Sequence, residues 1–292
     1  MARSDAAQEH ESPLAPEELG DAAALVREAG WNQVPADWRI FLELGTVYAV
    51  RTGAGRVIAT AATLPYGGRF AWISMVLVAG DYRRRGLASR LMGRCIEELT
   101  AAGLVPVLDA TPAGRAVYGA LGFEDAWGFH RLARGEASGN ASGLPAPAGV
   151  VIQPIDDAVQ AELSRYDAAV FGADRSGVLA RLRGRVPAAE LVAQRGTQVC
   201  GLLLGRDGRS ATQLGPLVAD DTAIAQALLA RGLAAIKGPV YIDLADAHQG
   251  LRAWLEGLGF AAQRPFTRML HRRSAGFDDT ARTFAVAGPE LG

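Results

Sequence analysis

The sequence predicts an α/β chain, α+β in the order of its elements, folded as two tandem domains of which the second repeats the first in outline. Three observations predict it. An apolar, β-prone run from Ile73 to Val78 stops at Gly80-Asp81 and turns through a basic loop containing Gly86. It then enters an amphipathic segment with apolar residues at Leu87, Ala88, Leu91, Met92, Cys95 and Leu99. The tripeptide Leu-Gly-Phe closes a strand, loop and helix passage twice, ending at Phe123 and at Phe260, 137 residues apart. That interval is the length of a domain rather than of a solenoid repeat. Between the two, residues 135–149 are rich in Gly, Ala, Ser and Pro and nearly free of large apolar side chains, which marks a linker.

A chain of 292 residues is long enough for two domains that each bury a core. With 49% hydrophobic and 21% charged residues it is globular in composition, and it has no continuous apolar run of membrane-spanning length, so no membrane partner is expected. A net charge of -1 excludes a field that gathers nucleic acid, although Arg83 to Arg85 and Arg181 to Arg185 are locally basic. Cys95 and Cys200 read as small core residues, and four scattered His give no metal-ligand spacing. The polar opening Met1-Ala2-Arg3-Ser4-Asp5 has no apolar signal core, so a cytoplasmic address is expected.

In chain order, residues 1–12 are polar and expected to be loose. Pro16 to Ala29 is an amphipathic helix with Glu17, Glu18 and Asp21 in its early turns, where the helix dipole favours acids, and Gly30 ends it. A second helical piece reaches Leu44. Thr46–Arg51 and Arg56–Leu64 are strands joined at Gly53-Ala54-Gly55, and Arg69–Val78 is the next. After the basic turn and its helix, Leu104–Ala110 is a strand, Thr111-Pro112 opens a helix, and a short strand near Phe129–Leu132 closes the first half. In the second half Gln153–Val170 is helical or mixed and Val178–Leu182 is apolar-periodic. Strands are expected at 191–194, 198–204, 212–219 and 240–244, with helices at 222–236 and 251–257.

The turn at 80–86 has the chemistry of an anion site. Peptide N–H groups at a helix start lack intrahelical partners, Gly86 removes the side chain that would hold a ligand off the backbone, and Arg83, Arg84 and Arg85 add charge suited to a diphosphate. Arg83-x-x-Gly86-x-Ala88 after a strand resembles the Arg/Gln-x-x-Gly-x-Gly/Ala acetyl-CoA loop of the GCN5-related N-acetyltransferase (GNAT) superfamily. The strand, loop and helix ending Tyr118-Gly119-Ala120-Leu121-Gly122-Phe123 resembles a second signature of that family, and the two stand in the family's order. The resemblance implies two tandem domains, residues 1–134 and 150–275, joined by the linker 135–149 and followed by a tail, 276–292. Each is expected to be a mostly antiparallel mixed sheet flanked by helices.

The second half departs from the pattern where the chemistry sits. Asp220-Asp221-Thr222-Ala223 puts two acids and no Gly where a diphosphate would bind, and Leu255 stands at the register of Tyr118. It reads as a degenerate copy, since like charges repel. With Tyr166–Arg175 and Thr267-Arg268-Met269 it resembles the C-terminal domain of tandem bacterial acetyltransferases of the YitH/HolE type.

By that resemblance acetyl-CoA is the cofactor, held by Val76, Leu77, Val78, Arg83, Arg84, Arg85, Gly86, Leu87, Ala88 and Ser89. A primary amine of a small or amino-acid-like molecule attacks the thioester directly, and Tyr118 acts as general acid to the leaving thiolate. The strand 73–78 has no Glu to serve as base, which leaves water, a substrate-side acid or Asp109, the last being also a turn-capping candidate before Thr111-Pro112. Trp31, Asn32, Asp109, Asp174 and Asp243 are candidate acceptor-site residues, with core packing, salt bridges or helix capping as their structural alternatives. A protein acetyltransferase and a non-catalytic acetyl-CoA sensor stand as alternative functions, and a homodimer is left open.

Overall fold

In the computed structural model, the described residues are 9–136 and 144–292. The expected looseness of residues 1–8 and the linker segment 137–143 lie outside them. By compactness the chain divides into unit 1, Met1–Leu108, and unit 2, Asp109–Gly292.

Unit 1 begins with a strand where the sequence predicts loose chain, β1 (His10–Pro13), followed by α1 (Leu19–Glu28) and α2 (Pro35–Leu44). β1 has no apolar alternation. It is held by backbone pairing to the edge of β2 (Thr46–Arg51) and by ion pairs from Glu9 and Glu11 to Arg90 and from Glu11 to Arg94. β2 pairs antiparallel with β3 (Val57–Tyr66), and β3 with β4 (Phe70–Val78). β4 leads through a short 3-10 turn, Gly80–Tyr82, into α3 (Leu87–Ala101), and β5 (Val105–Ala110) comes next. α3 lies on β3 and β4 and buries Leu87, Leu91, Met92, Cys95 and Leu99, five of the six apolar positions read from the periodicity. Each such side chain contributes about 1.5–3 kcal/mol by leaving water. Burial also pushes the Cys95 thiol up to about 12, so it is an inert core group.

Two features of β4 shape the turn and the cleft at its end. Thr60 pairs with Leu77 and Ala62 with Ser74, so two residues of β4 oppose one of β3, and Met75 at φ 51 absorbs the extra residue. β5 runs parallel to β4 only over Phe70–Trp72 against Val105–Val107. Beyond Trp72 the two strands part, leaving the last residues of β4 with a backbone edge unpaired by β5.

Unit 2 opens with the end of β5, then α4 (Pro112–Ala120), β6 (Phe123–Arg134), β7 (Val150–Pro154), α5 (Gln160–Phe171) and α6 (Ser176–Leu182). The chain continues through β8 (Leu191–Arg195), β9 (Gln198–Arg206), β10 (Thr212–Ala219), α7 (Thr222–Ala235) and β11 (Val240–Ala245). The unit ends with α8 (Gln249–Gly257), β12 (Ala261–His271) and β13 (Thr283–Ala285). β7, β8, β9 and β10 form an antiparallel run. β6, from the first half of the sequence, pairs antiparallel with both β11 and β12 and belongs to unit 2. The main core gathers Leu214, Leu217, Ile242 and Leu244 from the sheet with Ile224, Leu228, Leu229, Leu251 and Leu255 from α7 and α8. Leu255, at the register of Tyr118, is fully buried packing.

β12 and β13 carry no expectation from the sequence. β12 reads Ala-Ala-Gln-Arg-Pro-Phe-Thr-Arg-Met-Leu-His, and its buried Arg268 hides the period-two pattern. Among the described residues, no helix is long and apolar enough to cross a membrane.

Candidate active site

The diphosphate loop is built by unit 1. After Val78, the Ala79 N–H donates to Ile58 O at 2.8 Å, which pins the strand end to β3. The chain then turns with Arg84 at φ 61 and Gly86 at φ 80, and Gly86 becomes the N-cap of α3. Only glycine takes that left-handed angle freely. No side chain caps α3, its first turn holds no acid, and a Cβ built on Gly86 would meet nothing within 4 Å. The helix end therefore presents its unspent N–H groups and partial positive charge to open space. Arg83, Arg84 and Arg85 are exposed around it, with Arg83 Nε donating to Val78 O (3.2 Å) and Arg85 Nη2 to Asp81 O (2.9 Å). Leu87 is buried, Ala88 half-buried and Ser89 exposed, while on β4 Leu77 is buried and Val76 and Val78 are half-buried.

Glu28 joins this site without any signal in the sequence. Its Oε1 accepts the Gly80 N–H at 2.5 Å and lies 4.0 Å from Arg83 Nη2, so the last turn of α1 anchors the start of the loop. No local motif announces it, because the contact spans 52 residues.

Trp31 and Asn32 lie between α1 and α2, Trp31 half-buried and Asn32 buried, with the Trp31 N–H donating to Val26 O at 3.0 Å. Among the described residues of unit 1, Gln33 Oε1, Trp38 Nε1 and Ser74 Oγ are buried without a hydrogen-bond partner. Buried polar atoms of this kind are costly unless something satisfies them.

Unit 2 holds the remaining candidates. Tyr118 is on α4, whose N-cap Thr111 accepts the Gly114 N–H at 3.3 Å through Oγ1, with Pro112 in the first turn. Its ring meets Phe123 edge-on at 6.1 Å between centroids. A Cβ on Gly114 would come within 2.9 Å of the ring, so glycine there makes room for Tyr118. Burial pushes the phenol pKa above its usual value, which keeps the proton on Oη and suits an acid rather than a base.

The side chain of Asp109 is fully buried and receives a two-pronged hydrogen bond from Arg268, Nε to Oδ1 at 2.9 Å and Nη2 to Oδ2 at 3.0 Å. Arg268 also reaches Asp278 at 2.9 Å, Asp278 accepts the Trp127 indole N–H at 3.2 Å, and the guanidinium lies 4.4 Å from the Trp127 ring. Burial holds the Asp109 carboxyl up at about 6, against the opposing pull of Arg268. Asp243 is likewise enclosed, bonded by Arg131 at 2.8 and 2.7 Å and by Gln213 Nε2 at 3.0 Å. Asp174 accepts the Ser176 N–H at 2.8 Å at the start of α6, which holds its carboxyl below the usual range. These three acids thus serve ion pairs and a turn inside unit 2.

Comparison with known proteins bears on the family. A model described as "Acetyltransferase (GNAT) family" matches residues 11–123, and one described as "Acetyltransferase (GNAT) domain" matches residues 163–285. The Bacillus subtilis (strain 168) protein "Uncharacterized N-acetyltransferase YitH" is 24% identical over 256 residues, 84% of this chain and 85% of that one. A Pyrococcus horikoshii structure, described as "A Putative Acetyltransferase", superposes with a TM-score of 0.76 at 18% identity, covering 100% of this chain and 99% of its own. A tandem GNAT protein from the clavulanic acid biosynthesis pathway gives 0.63 at 17% identity, covering 90% and 98%. With a GNAT match in each half and a mixed, mostly antiparallel α/β architecture to go with it, the chain belongs to the GNAT superfamily as a tandem GNAT acetyltransferase.

Proposed function

We propose that the protein is an acetyl-CoA-dependent N-acetyltransferase that acetylates a primary amine of a small or amino-acid-like molecule. The observation that carries the reading is the uncapped start of α3 behind Gly86, an anion site that its own chain does not fill. Acetyl-CoA fits this set of groups. Its diphosphate suits the helix end and Arg83 to Arg85, and its amide-bearing arm suits the β4 edge around Val76 to Val78, which β5 leaves unpaired. When bound, it supplies an acetyl group activated as a thioester.

The chain's own residues then have three tasks. The loop from Gly80 to Ser89 binds and orients, with Glu28 fixing its first residue. The backbone N–H of Val78, on the edge of β4 turned away from β3, is a donor for the developing oxyanion, with Leu77 held beside it in the β3 ladder. Tyr118 delivers its Oη proton to the leaving thiolate, and burial, which raises its pKa, keeps that proton on Oη until the thiolate takes it. Asp109 is not the base in this reading, because both of its oxygens are spent on Arg268. Water or the acceptor's own deprotonation takes that role.

Tyr118→Phe tests the acid. Turnover, read as thiol release from acetyl-CoA across a panel of amines and amino acids, should fall by about a hundredfold or more while calorimetric acetyl-CoA affinity changes less than about threefold. A fully active variant would remove Tyr118 from the mechanism.

A further inference from the structure

The second half contains its own version of the parted strands, and there the gap is filled by the chain. β10 and β11 run parallel over Thr212–Leu214 against Val240–Ile242, as β4 and β5 do over three residues in unit 1, and then separate. β13 lies between them, with Leu217 and Val218 of β10 opposite Ala285 and Thr283, and Leu244 of β11 opposite Ala285. Backbone bonds extend the pairing on both sides. The Ala219 N–H donates to Arg282 O and the Val286 N–H to Asp243 O, each at 3.1 Å.

The surroundings are shaped to this segment. A Cβ on Gly215 would fall 2.0 Å from Val286 O, and one on Gly172 would fall 2.2 Å from Phe277 O, so two glycines clear the path of the tail backbone. His248, the N-cap of α8, lies with Nε2 2.9 Å from Thr283 O and its ring stacked 3.8 Å from Phe284. Phe284 to Ala287 are at most 1% exposed. At the start of α7, where α3 has bare Gly86, Asp221 accepts the Ile224 N–H at 2.9 Å and spends the helix end on its own carboxylate.

We infer that residues 276–287 are the built-in occupant of the second half's cofactor cleft. Strand 283–285 takes the backbone pairing that the amide-bearing arm of acetyl-CoA takes along β4, and the Asp221 carboxylate takes the helix end in place of the diphosphate. The inference rests on the acetyl-CoA reading of unit 1 for the equivalence of the two clefts. The second half thus lost the cofactor by internal substitution, with its cleft retained and satisfied, and the tail is part of its fold. One acetyl-CoA per chain is the consequence.

Amide hydrogen exchange on the full chain, with and without saturating acetyl-CoA, tests this. The Ala219 and Val286 amides should exchange at least about a hundredfold slower than in an unstructured chain, and acetyl-CoA should leave them unchanged while slowing Val76 to Val78. Rapid exchange at Ala219 and Val286 that acetyl-CoA then slows would overturn the inference. Protection at these two sites with no response at Val76 to Val78 would uphold the occupied cleft and remove the cofactor reading instead. Gly215→Ala, which pushes against Val286, should speed exchange at Ala219 and Val286 by about tenfold or more while the amides of β2 and β3 keep their rates. Unchanged exchange in that variant would contradict the close fit.

Discussion

Arg268→Met is expected to destabilise the protein by about 3–5 kcal/mol at pH 7, read as a fall in the urea midpoint, because it strands two carboxylates inside unit 2. Asp109 and Asp278 are both at most 4% exposed at the side chain, and Arg268 is the cation between them. With the guanidinium gone, the opposing pull on Asp109 disappears and desolvation raises its folded pKa further above the unfolded one. A group with its folded pKa raised adds stability at low pH and loses it as pH rises through the folded value. The deficit should therefore shrink by about 1–2 kcal/mol between pH 7 and pH 5, as the stranded Asp109 takes up a proton. Combining it with Asp109→Asn should recover part of the loss. A pH-independent deficit below about 1 kcal/mol would mean that water reaches the cluster.

Gly86→Glu should weaken acetyl-CoA binding by about a hundredfold or more, roughly 2.7 kcal/mol. Two effects act together. A non-glycine residue at φ 80 costs about 1–2 kcal/mol of backbone strain, and a carboxylate at the bare start of α3 occupies the helix end and repels a diphosphate. Gly86→Asn separates them, since Asn tolerates the left-handed angle and brings no charge, so it should lose much less affinity with similar folding stability. Equal affinities in all three proteins would dismiss the loop as the cofactor site.

The parts of the molecule that are legible in the sequence are those whose information is local. The helix 87–101 and the loop before it are readable because apolar spacing, Gly86 and three consecutive Arg all act within about 20 residues. The acidic start of the matching helix in the second half is readable from Asp220-Asp221 for the same reason, and Asp221 caps α7. The long-range devices are not. β1 pairs through its backbone and holds Arg90 and Arg94 through acids about 80 residues away. Arg268 finds Asp109 across 159 residues, so β12 hides a buried charge where a strand normally shows an apolar side chain. β13 is three residues long and owes its place to the gap between β10 and β11 rather than to any pattern of its own. Asp109, Asp174 and Asp243 show the complementary difficulty, since a lone acid in a sequence does not disclose whether an arginine or a helix start has already claimed it.

Calorimetric titration of acetyl-CoA into the intact chain, counting sites and paired with thiol release over an amine panel, tests the central claim most directly. The expected result is one site per chain, weakened by about a hundredfold or more in Gly86→Glu, with turnover on a small amine. No binding, or two equivalent sites, would contradict it.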